Sequence, residues 1–101
     1  MQIGIDVGAT KIESVILDEK GNESNRERTD CPKYYFQIVK TIKEINKKLE
    51  KELNKALPIG VCHPGIHSPQ TGLVKNAPNC YWLEKKPFQN DLRKELGKEV
   101  F

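Results

Sequence analysis

A short loop near the start of the chain, Asp6 to Lys11, brings four chemically different groups into six consecutive positions. The loop lies between two apolar, β-branched runs, which predicts the turn of a β-hairpin. Such a turn can aim several backbone N–H groups at one anion, and the Thr10 hydroxyl and Lys11 ammonium add further donors. Gly8 has no Cβ atom and so allows close approach of the backbone. Together these groups predict a phosphate-binding site.

Asp6 adds a requirement to that site, because a carboxylate repels a phosphate unless a cation lies between them. Mg²⁺ prefers a carboxylate together with substrate phosphates and water, so Asp6 would act on this metal indirectly. The loop therefore predicts a site for magnesium-bound nucleotide phosphates. A purely structural alternative stays open, in which Gly8 forms the turn, Asp6 caps it and Thr10 favours the strand. The chain has neither the G-x-x-x-x-G-K-[ST] nor the G-x-G-x-x-G pattern.

Cys62, His63 and His67 form a second group of side chains that could ligate a metal. The two histidines are four residues apart, but Pro64 and Gly65 between them exclude a regular helix. A structural zinc site needs four ligands, and no fourth candidate stands nearby. The sequence therefore disfavours zinc at this position.

The elements that must position these groups are predicted from apolar periodicity and turn residues. Strands and helices are both predicted along the chain, and the clearest helix carries apolar residues at three- and four-residue steps. This pattern indicates an α/β fold with strands at Gln2–Val7, Ile12–Asp18, Glu23–Thr29 and Leu57–Cys62, a short strand near 73–75, helices at Tyr34–Asn54 and Asp91–Leu96, and a strand beginning at Glu99.

Length and charge limit the function classes further. The 101 residues suffice for one modest domain, and 31% of them are charged. The net charge of +3 is small and scattered, which argues against a nucleic-acid partner. The sequence has no secretory signal and no apolar run near the roughly 20 residues of a membrane span. Its three widely spaced cysteines favour free thiols in the cytoplasm.

Two quoted blocks carry a resemblance to a known family. "IGIDVGATKIESVILDEKGN" resembles the first phosphate loop of the actin-like ATPase superfamily, and within it the ROK family of sugar kinases and repressors. "VCHPGIHSPQTGLVKNAPNCYWLEKKPFQNDLRKELGKEV" is similar to a block of fructokinases and mannokinases in that family. The resemblance runs from Ile3 to Val100 and is generic only between about residues 25 and 54.

The resemblance implies a ribonuclease-H-like lobe with a mixed sheet and flanking helices, and transfer of the ATP γ-phosphoryl group to a hexose hydroxyl. It implies that Asp6 positions Mg²⁺ and that Gly8, Thr10 and Lys11 hold phosphate. ATP and Mg²⁺ are thus the expected cofactors. A homodimer of the full-length protein is compatible with the same resemblance.

For the sugar, the resemblance implies backbone contact from Gly65 and side-chain hydrogen bonds from Asn79, with Asn76 as the second choice of register. Asparagine supplies a donor and an acceptor from one side chain, as sugar hydroxyls require. The alternative is that Asn79 only forms a turn after Pro78. Ala9 and His63 depart from the family pattern, and His63 either contacts the sugar or caps the strand end.

The family's catalytic aspartate stands in an Asn-Asp-Ala-Asn motif, which is not found in the chain, and its zinc segment is not found either. Residues 1–101 are therefore expected to form the N-terminal lobe of a sugar kinase, ending just before the catalytic motif and inactive alone. The sugar stays open among fructose, mannose, glucose and N-acetylglucosamine, with the first two slightly favoured. The alternatives are a non-catalytic sugar- or nucleotide-binding regulator, and a fragment that binds nothing. A DNA-binding role is disfavoured, because only five residues precede the loop.

Overall fold

Strands and helices follow one another as the α/β pattern predicted. The computed structural model describes the backbone throughout and the side chains of residues 1–77 and 80–101. The elements are β1 (Gln2–Val7), β2 (Lys11–Leu17), β3 (Glu23–Asp30), α1 (Tyr35–Leu53), β4 (Ile59–Cys62), β5 (Ile66–His67), β6 (Val74–Lys75), a 3₁₀ helix (Pro78–Leu83) and α2 (Phe88–Leu96).

The main sheet is mixed and has the order β3-β2-β1-β4. Strands β1, β2 and β3 form an antiparallel meander, and β4 pairs with β1 in parallel. The end of the chain extends this sheet beyond β4, through a parallel bridge between Ile59 and Val100. The Phe101 N–H donates to the Ile59 carbonyl at 3.0 Å, and the Val61 N–H donates to the Phe101 carbonyl at 2.7 Å. A single bridge at Val100 is thus observed where the sequence predicted a strand beginning at Glu99.

One residue shifts the register of the outer hairpin. Lys11 pairs with Asp30 and Glu13 with Arg28, but the register changes between Ser14 and Ile16. The extra residue lies on β3 next to Asn25, which has a positive φ of 54°. Asparagine adopts this left-handed conformation more readily than most residues do, so it suits a β-bulge.

Alternate residues of β1 and β2 point into one apolar core. α1 covers this core with one face, because its buried residues recur at helical spacing. α2 packs beside α1, where the Tyr35 hydroxyl donates to Asp91 at 2.6 Å and the Tyr35 and Phe88 rings meet edge to face. The most deeply buried large side chains are Ile3, Val7, Ile12, Ile38, Ile42, Leu49, Ile59, Val74, Leu83, Phe88, Leu92 and Val100.

Lys98 ties the segment after α2 to α1 and to the start of β4. Its ammonium donates to Asn46 at 2.6 Å, to Glu50 at 3.1 Å and to the Leu57 carbonyl. Glu50 also accepts a hydrogen bond from the Leu57 N–H at 2.7 Å. Asn46 is buried on α1, so this polar group satisfies an amide that would otherwise lose its hydrogen bonds inside the core.

The structure differs from the predicted elements mainly between residues 63 and 90. β5 and the 3₁₀ helix were not predicted, and α2 begins three residues before the predicted Asp91. Pro87 explains the earlier start, because proline is tolerated where a helix begins. Within the described residues, no helix is both long enough and apolar enough to cross a bilayer.

Candidate functional site

The turn between β1 and β2 is closed by one backbone hydrogen bond, from the Gly8 N–H to the Lys11 carbonyl at 2.8 Å. A Cβ atom at Gly8 would lie 3.0 Å from the same carbonyl oxygen, which is tighter than ordinary contacts. Gly8 therefore has a structural role in the turn, and its predicted contact with phosphate stays a prediction.

A shallow groove of about 350 Å³ opens at this turn, lined by Asp6, Gly8, Thr10, Lys11, Glu13 and Arg28. The four residues predicted from the sequence are thus brought together. Among the described residues, no acceptor is found for the N–H groups of Ala9 and Thr10. These two donors, the exposed Thr10 hydroxyl and the Lys11 ammonium suit an anion, while Asp6 suits a cation. The donor set therefore fits magnesium-bound phosphates.

Three ion pairs lie in or beside the groove and hold its cations in place. Lys11 contacts Asp30, and this hydrogen bond lowers the pKa of the Asp30 carboxyl. Arg28 donates to Glu13 at 2.7 Å, and Arg26 donates to the same carboxylate at 2.9 Å. The hydrogen bond from Arg28 lowers the pKa of Glu13. Lys11 and Asp30 are both well exposed, so their pair can exchange for a ligand at little cost, whereas Glu13 is only partly exposed.

Sequence analysis missed Asp30, Glu13 and Arg28 as neighbours of the loop. Their charges alternate along β2 and β3, which is a signal for cross-strand pairing. A regular hairpin around the turn after Leu17, however, would place Glu13 opposite Glu27 instead of Arg28. The bulge near Asn25 shifts the register so that Glu13 pairs with Arg28. No sequence pattern predicted this bulge.

The Pro64–Gly65 turn lies between β4 and β5 and contacts the segment that follows β6. Gly65 has a φ of 78°, and a Cβ atom there would lie 2.4 Å from the Lys75 carbonyl and 3.2 Å from the carbonyl carbon of Asn76. Two of the predicted sugar-contacting residues, Gly65 and Asn76, are therefore adjacent. Asn76 is exposed and has a left-handed φ of 61°. The side chain of Asn79 lies outside the described residues.

The phosphate groove and the Pro64–Gly65 turn lie at the same edge of the sheet. β1 and β4 are parallel, and Asp6 is in register with Cys62. The segments that follow these two strands therefore leave the sheet at the same end. The Cys80 thiol approaches the Gly8 carbonyl at 3.9 Å, which brings the 3₁₀ helix to this edge as well. The topology therefore gathers all the predicted site segments along one edge.

His63 and His67 are both partly buried between this turn and α2. His63 Nε2 lies 3.2 Å from His67 Nδ1, and the Gln89 N–H donates to His67 Nε2 at 3.2 Å. His63 Nδ1 lies 2.8 Å from the Pro64 carbonyl. Each of these ring nitrogens has a protein partner, so the pair offers no free lone pair for a metal. Neither these contacts nor their directions were predicted.

Comparison with known proteins matches nearly the whole chain to one protein family. The family model described as "ROK family" matches residues 2–101. The N-acetyl-D-glucosamine kinase of Histophilus somni is 32% identical over 101 residues, which are 99% of this chain and 33% of that protein. The enzyme of the same name from Vibrio atlanticus is 34% identical over 103 residues and is covered to 33%. The chain thus spans about a third of the length of these relatives.

Solved structures with the same fold include kinases of several sugars. The inorganic polyphosphate/ATP-glucomannokinase of an Arthrobacter strain matches with a TM-score of 0.82 and 28% identity, over 99% of this chain and 42% of that one. A hexokinase from Thermus thermophilus matches with a TM-score of 0.83 and 24% identity, over 99% of this chain and 33% of that one. A Streptomyces griseus glucokinase, solved with glucose and AMPPNP, has a TM-score of 0.82 at 24% identity and is covered to 31%, over 98% of this chain. The last two structures, at 24% identity, show that this chain shares their fold.

Proposed function

Because this chain belongs to the ROK family, we propose that it supplies the N-terminal lobe of an ATP-dependent hexose kinase. In this proposal residues 1–101 hold the phosphates of ATP at the β1–β2 turn and part of the sugar at the Pro64–Gly65 turn. The observation that carries the proposal is that these two turns lie at one edge of the sheet, where the parallel strands β1 and β4 both end.

The β1–β2 turn would bind the nucleotide through groups that are open in this structure. The N–H groups of Ala9 and Thr10, with the Thr10 hydroxyl, would donate to phosphate oxygens. Lys11 would exchange its contact with Asp30 for a phosphate oxygen, and Asp6 would face Mg²⁺ through water. Mg²⁺-ATP, when bound, supplies the phosphoryl group and neutralises the charge that develops on it.

The Pro64–Gly65 turn would hold the acceptor sugar. Gly65 would offer backbone groups. Asn76, which is exposed, or Asn79 as the alternative, would pair a donor and an acceptor with sugar hydroxyls. These contacts orient the hydroxyl toward the β1–β2 turn, and such positioning is a large part of phosphoryl-transfer catalysis. The general base is proposed to lie outside residues 1–101, in the part of the relatives that this chain does not span.

N-acetylglucosamine is the first sugar to test. The curated relatives from Histophilus somni, Haemophilus influenzae and Vibrio atlanticus are all named N-acetyl-D-glucosamine kinases. Glucose, mannose and fructose complete the panel, because sequence analysis left them open. We propose that the whole protein acts in the cytoplasm, in carbohydrate metabolism.

The experiment that tests the proposal is an NMR titration of the chain with Mg²⁺-ATP and, separately, with each sugar. Mg²⁺-ATP should shift the amide signals of residues 8–11, and the matching sugar should shift those of Gly65 and Asn76. Lys11→Ala should weaken Mg²⁺-ATP binding about ten- to hundredfold, as the loss of one charged hydrogen bond does. The matched control is Lys20→Ala, an exposed lysine in the turn between β2 and β3.

Two results would contradict the proposal. If Mg²⁺-ATP shifts no amide near the β1–β2 turn, or if Lys20→Ala weakens binding as much as Lys11→Ala does, the phosphate site is not where we propose it.

A further inference from the structure

His63 and His67 bracket the Pro64–Gly65 turn and join it to α2. Their rings meet edge to face with centroids 4.7 Å apart, and the His63 ring also meets the Phe88 ring edge to face at 5.5 Å. The two histidines border a small cavity of about 70 Å³ that is otherwise lined by Val61, Phe88, Gln89, Leu92, Val100 and Phe101. The pair is thus part of the packing between the turn and α2.

The hydrogen bonds fix where each ring carries its proton. A backbone N–H can only donate, so the Gln89 N–H requires His67 Nε2 to be an acceptor. The proton of neutral His67 is then on Nδ1, which donates to His63 Nε2. His63 is therefore protonated on Nδ1, which donates to the Pro64 carbonyl. The result is a one-directional chain of three hydrogen bonds in which both rings are neutral.

This chain also caps α2. The N-cap residue Pro87 forms no side-chain hydrogen bond, so the first N–H groups of the helix need acceptors from elsewhere. His67 supplies one of them to Gln89, from a different part of the sequence. A protonated His67 would lose this acceptor and place a positive charge at the positive end of the helix dipole.

The surroundings oppose a charge on His67. Burial, the neighbouring His63 ring and the Arg93 guanidinium all lower the pKa of His67. Arg93 lies on α2 and is paired with Glu99 at 2.5 Å. The cavity residues from β4, α2 and the end of the chain carry no charged side chains: Val61, Phe88, Gln89, Leu92, Val100 and Phe101. These surroundings therefore favour the neutral form of His67.

We infer that His63 and His67 are positioning residues that clamp the Pro64–Gly65 turn to the start of α2, and that protonation of His67 releases the turn. The inference rests on the proposed function only where it concerns sugar, since Gly65 is a proposed sugar contact. The turn has little freedom once clamped, because Gly65 already lies against the backbone of Lys75 and Asn76. Sugar affinity at this turn should therefore fall as the solution is acidified.

The experiment first reads the clamp itself, without a sugar. Long-range ¹H–¹⁵N NMR spectra of the chain report which ring nitrogen carries each proton. We expect both histidines to be protonated on Nδ1 alone at about pH 8, and the Gly65 amide signal to move with the titration of His67. His67→Phe keeps a ring but removes both hydrogen bonds, and it should abolish this titration at Gly65.

Two partial variants separate the two hydrogen bonds of His67. His67→Gln retains an acceptor for the Gln89 N–H, and His67→Asn retains a donor toward His63. We expect His67→Gln to preserve the protection of the Gln89 amide against hydrogen exchange, and His67→Asn to reduce it about two- to tenfold. A proton on Nε2 of His67, or a Gly65 signal that titrates unchanged in His67→Phe, would overturn the inference.

A titration with N-acetylglucosamine then separates the inference from the proposed function. We expect the sugar to bind about two- to tenfold more weakly to His67→Phe than to the unmodified chain at about pH 8. Equal affinities would overturn the positioning role. If the clamp behaves as expected but none of the four sugars shifts the Gly65 signal, the proposed sugar contact fails and the clamp stands.

Discussion

Replacing Gly65 or Gly21 by alanine distinguishes two destabilising effects, which are backbone strain at positive φ and steric overpacking. Both have positive φ angles, 78° and 81°, but a Cβ atom would collide with the Lys75 carbonyl only at Gly65 and would meet nothing within 4 Å at Gly21. We expect Gly21→Ala to lower the free energy of unfolding by about 1–2 kcal/mol, from the left-handed conformation alone. Gly65→Ala should cost about 1–3 kcal/mol more, because of overpacking.

Urea unfolding of the two variants beside the unmodified chain measures both costs. Equal losses would show that the backbone of residues 75–77 moves aside without cost.

The three cysteines should differ in reactivity, although all are free thiols. Cys31 and Cys80 are buried and Cys62 is exposed beside Asp6. Burial, with a smaller contribution from Cys80, raises the pKa of the Cys31 thiol to about 11, and burial also raises that of Cys80. Since the thiolate is the reactive form, we expect one fast equivalent of iodoacetamide, located at Cys62 by peptide mass.

Cys62→Ser is the matched control and should remove the fast phase entirely. Fast labelling at Cys31 would mean that the segment between β3 and α1 opens readily.

At the scale of the elements, the hydrogen bonds that join Lys98, Asn46, Glu50 and Leu57 should make the free energy of unfolding depend on pH in the acid range. Burial opposes ionisation of Glu50, but hydrogen bonds from the Leu57 N–H and Lys98 outweigh it and hold the pKa of Glu50 below its usual value of 4.5. The unfolded chain therefore binds a proton at higher pH than the folded chain does. This stabilisation is complete above about pH 4.5 and is lost as the pH falls through the folded value.

Lys98→Met tests the same group near neutral pH. The substitution leaves Asn46 and Glu50 without their ammonium partner, so we expect a loss of about 1–3 kcal/mol in the free energy of unfolding. The acid-dependent part should shrink at the same time. Lys94→Met is the control, since Lys94 is exposed on α2 and belongs to no ion pair among the described side chains. Equal effects of the two variants would contradict the role of Lys98.

Apolar periodicity predicted the long elements of the fold well. β1, β2 and α1 appear within two residues of their expected positions, because each buries one regular face. Periodicity could not predict β5, which has two residues and whose one apolar side chain, Ile66, is exposed. It also missed the 3₁₀ helix, whose geometry departs from the helical range at Cys80.

In the candidate site, too, groups close together in sequence were predicted and contacts between distant segments were not. Asp6, Gly8, Thr10 and Lys11 are neighbours in sequence, so one loop was enough to predict that they lie together. Gly65 and Asn76 were expected from the family resemblance, and the structure places them so close that a Cβ atom at Gly65 would lie 3.2 Å from the carbonyl carbon of Asn76. The His63–His67 chain could not be predicted, because it depends on an N–H of Gln89 that only the packing of α2 brings near.

At the scale of the whole molecule, we expect no phosphoryl transfer from this chain alone. The proposal puts the general base outside residues 1–101, and acid–base assistance of this kind is typically worth about 10²–10⁴ in rate. A coupled assay for ADP release with N-acetylglucosamine, glucose, mannose and fructose measures this. Turnover that disappears in Asp6→Ala would contradict the expectation and would require a base within these residues.

The parallel pairing of β1 with β4 also orders events in time. The β1–β2–β3 meander uses only neighbouring residues, so it can form while the chain is still being synthesised. Ile3, however, pairs with Ile59, and the whole of α1 must emerge before that pairing is possible. Until then the inner edge of β1 is an unpaired template for other strands. Slow translation between β3 and β4 should therefore favour aggregation of the nascent chain, and rapid translation of α1 should protect it.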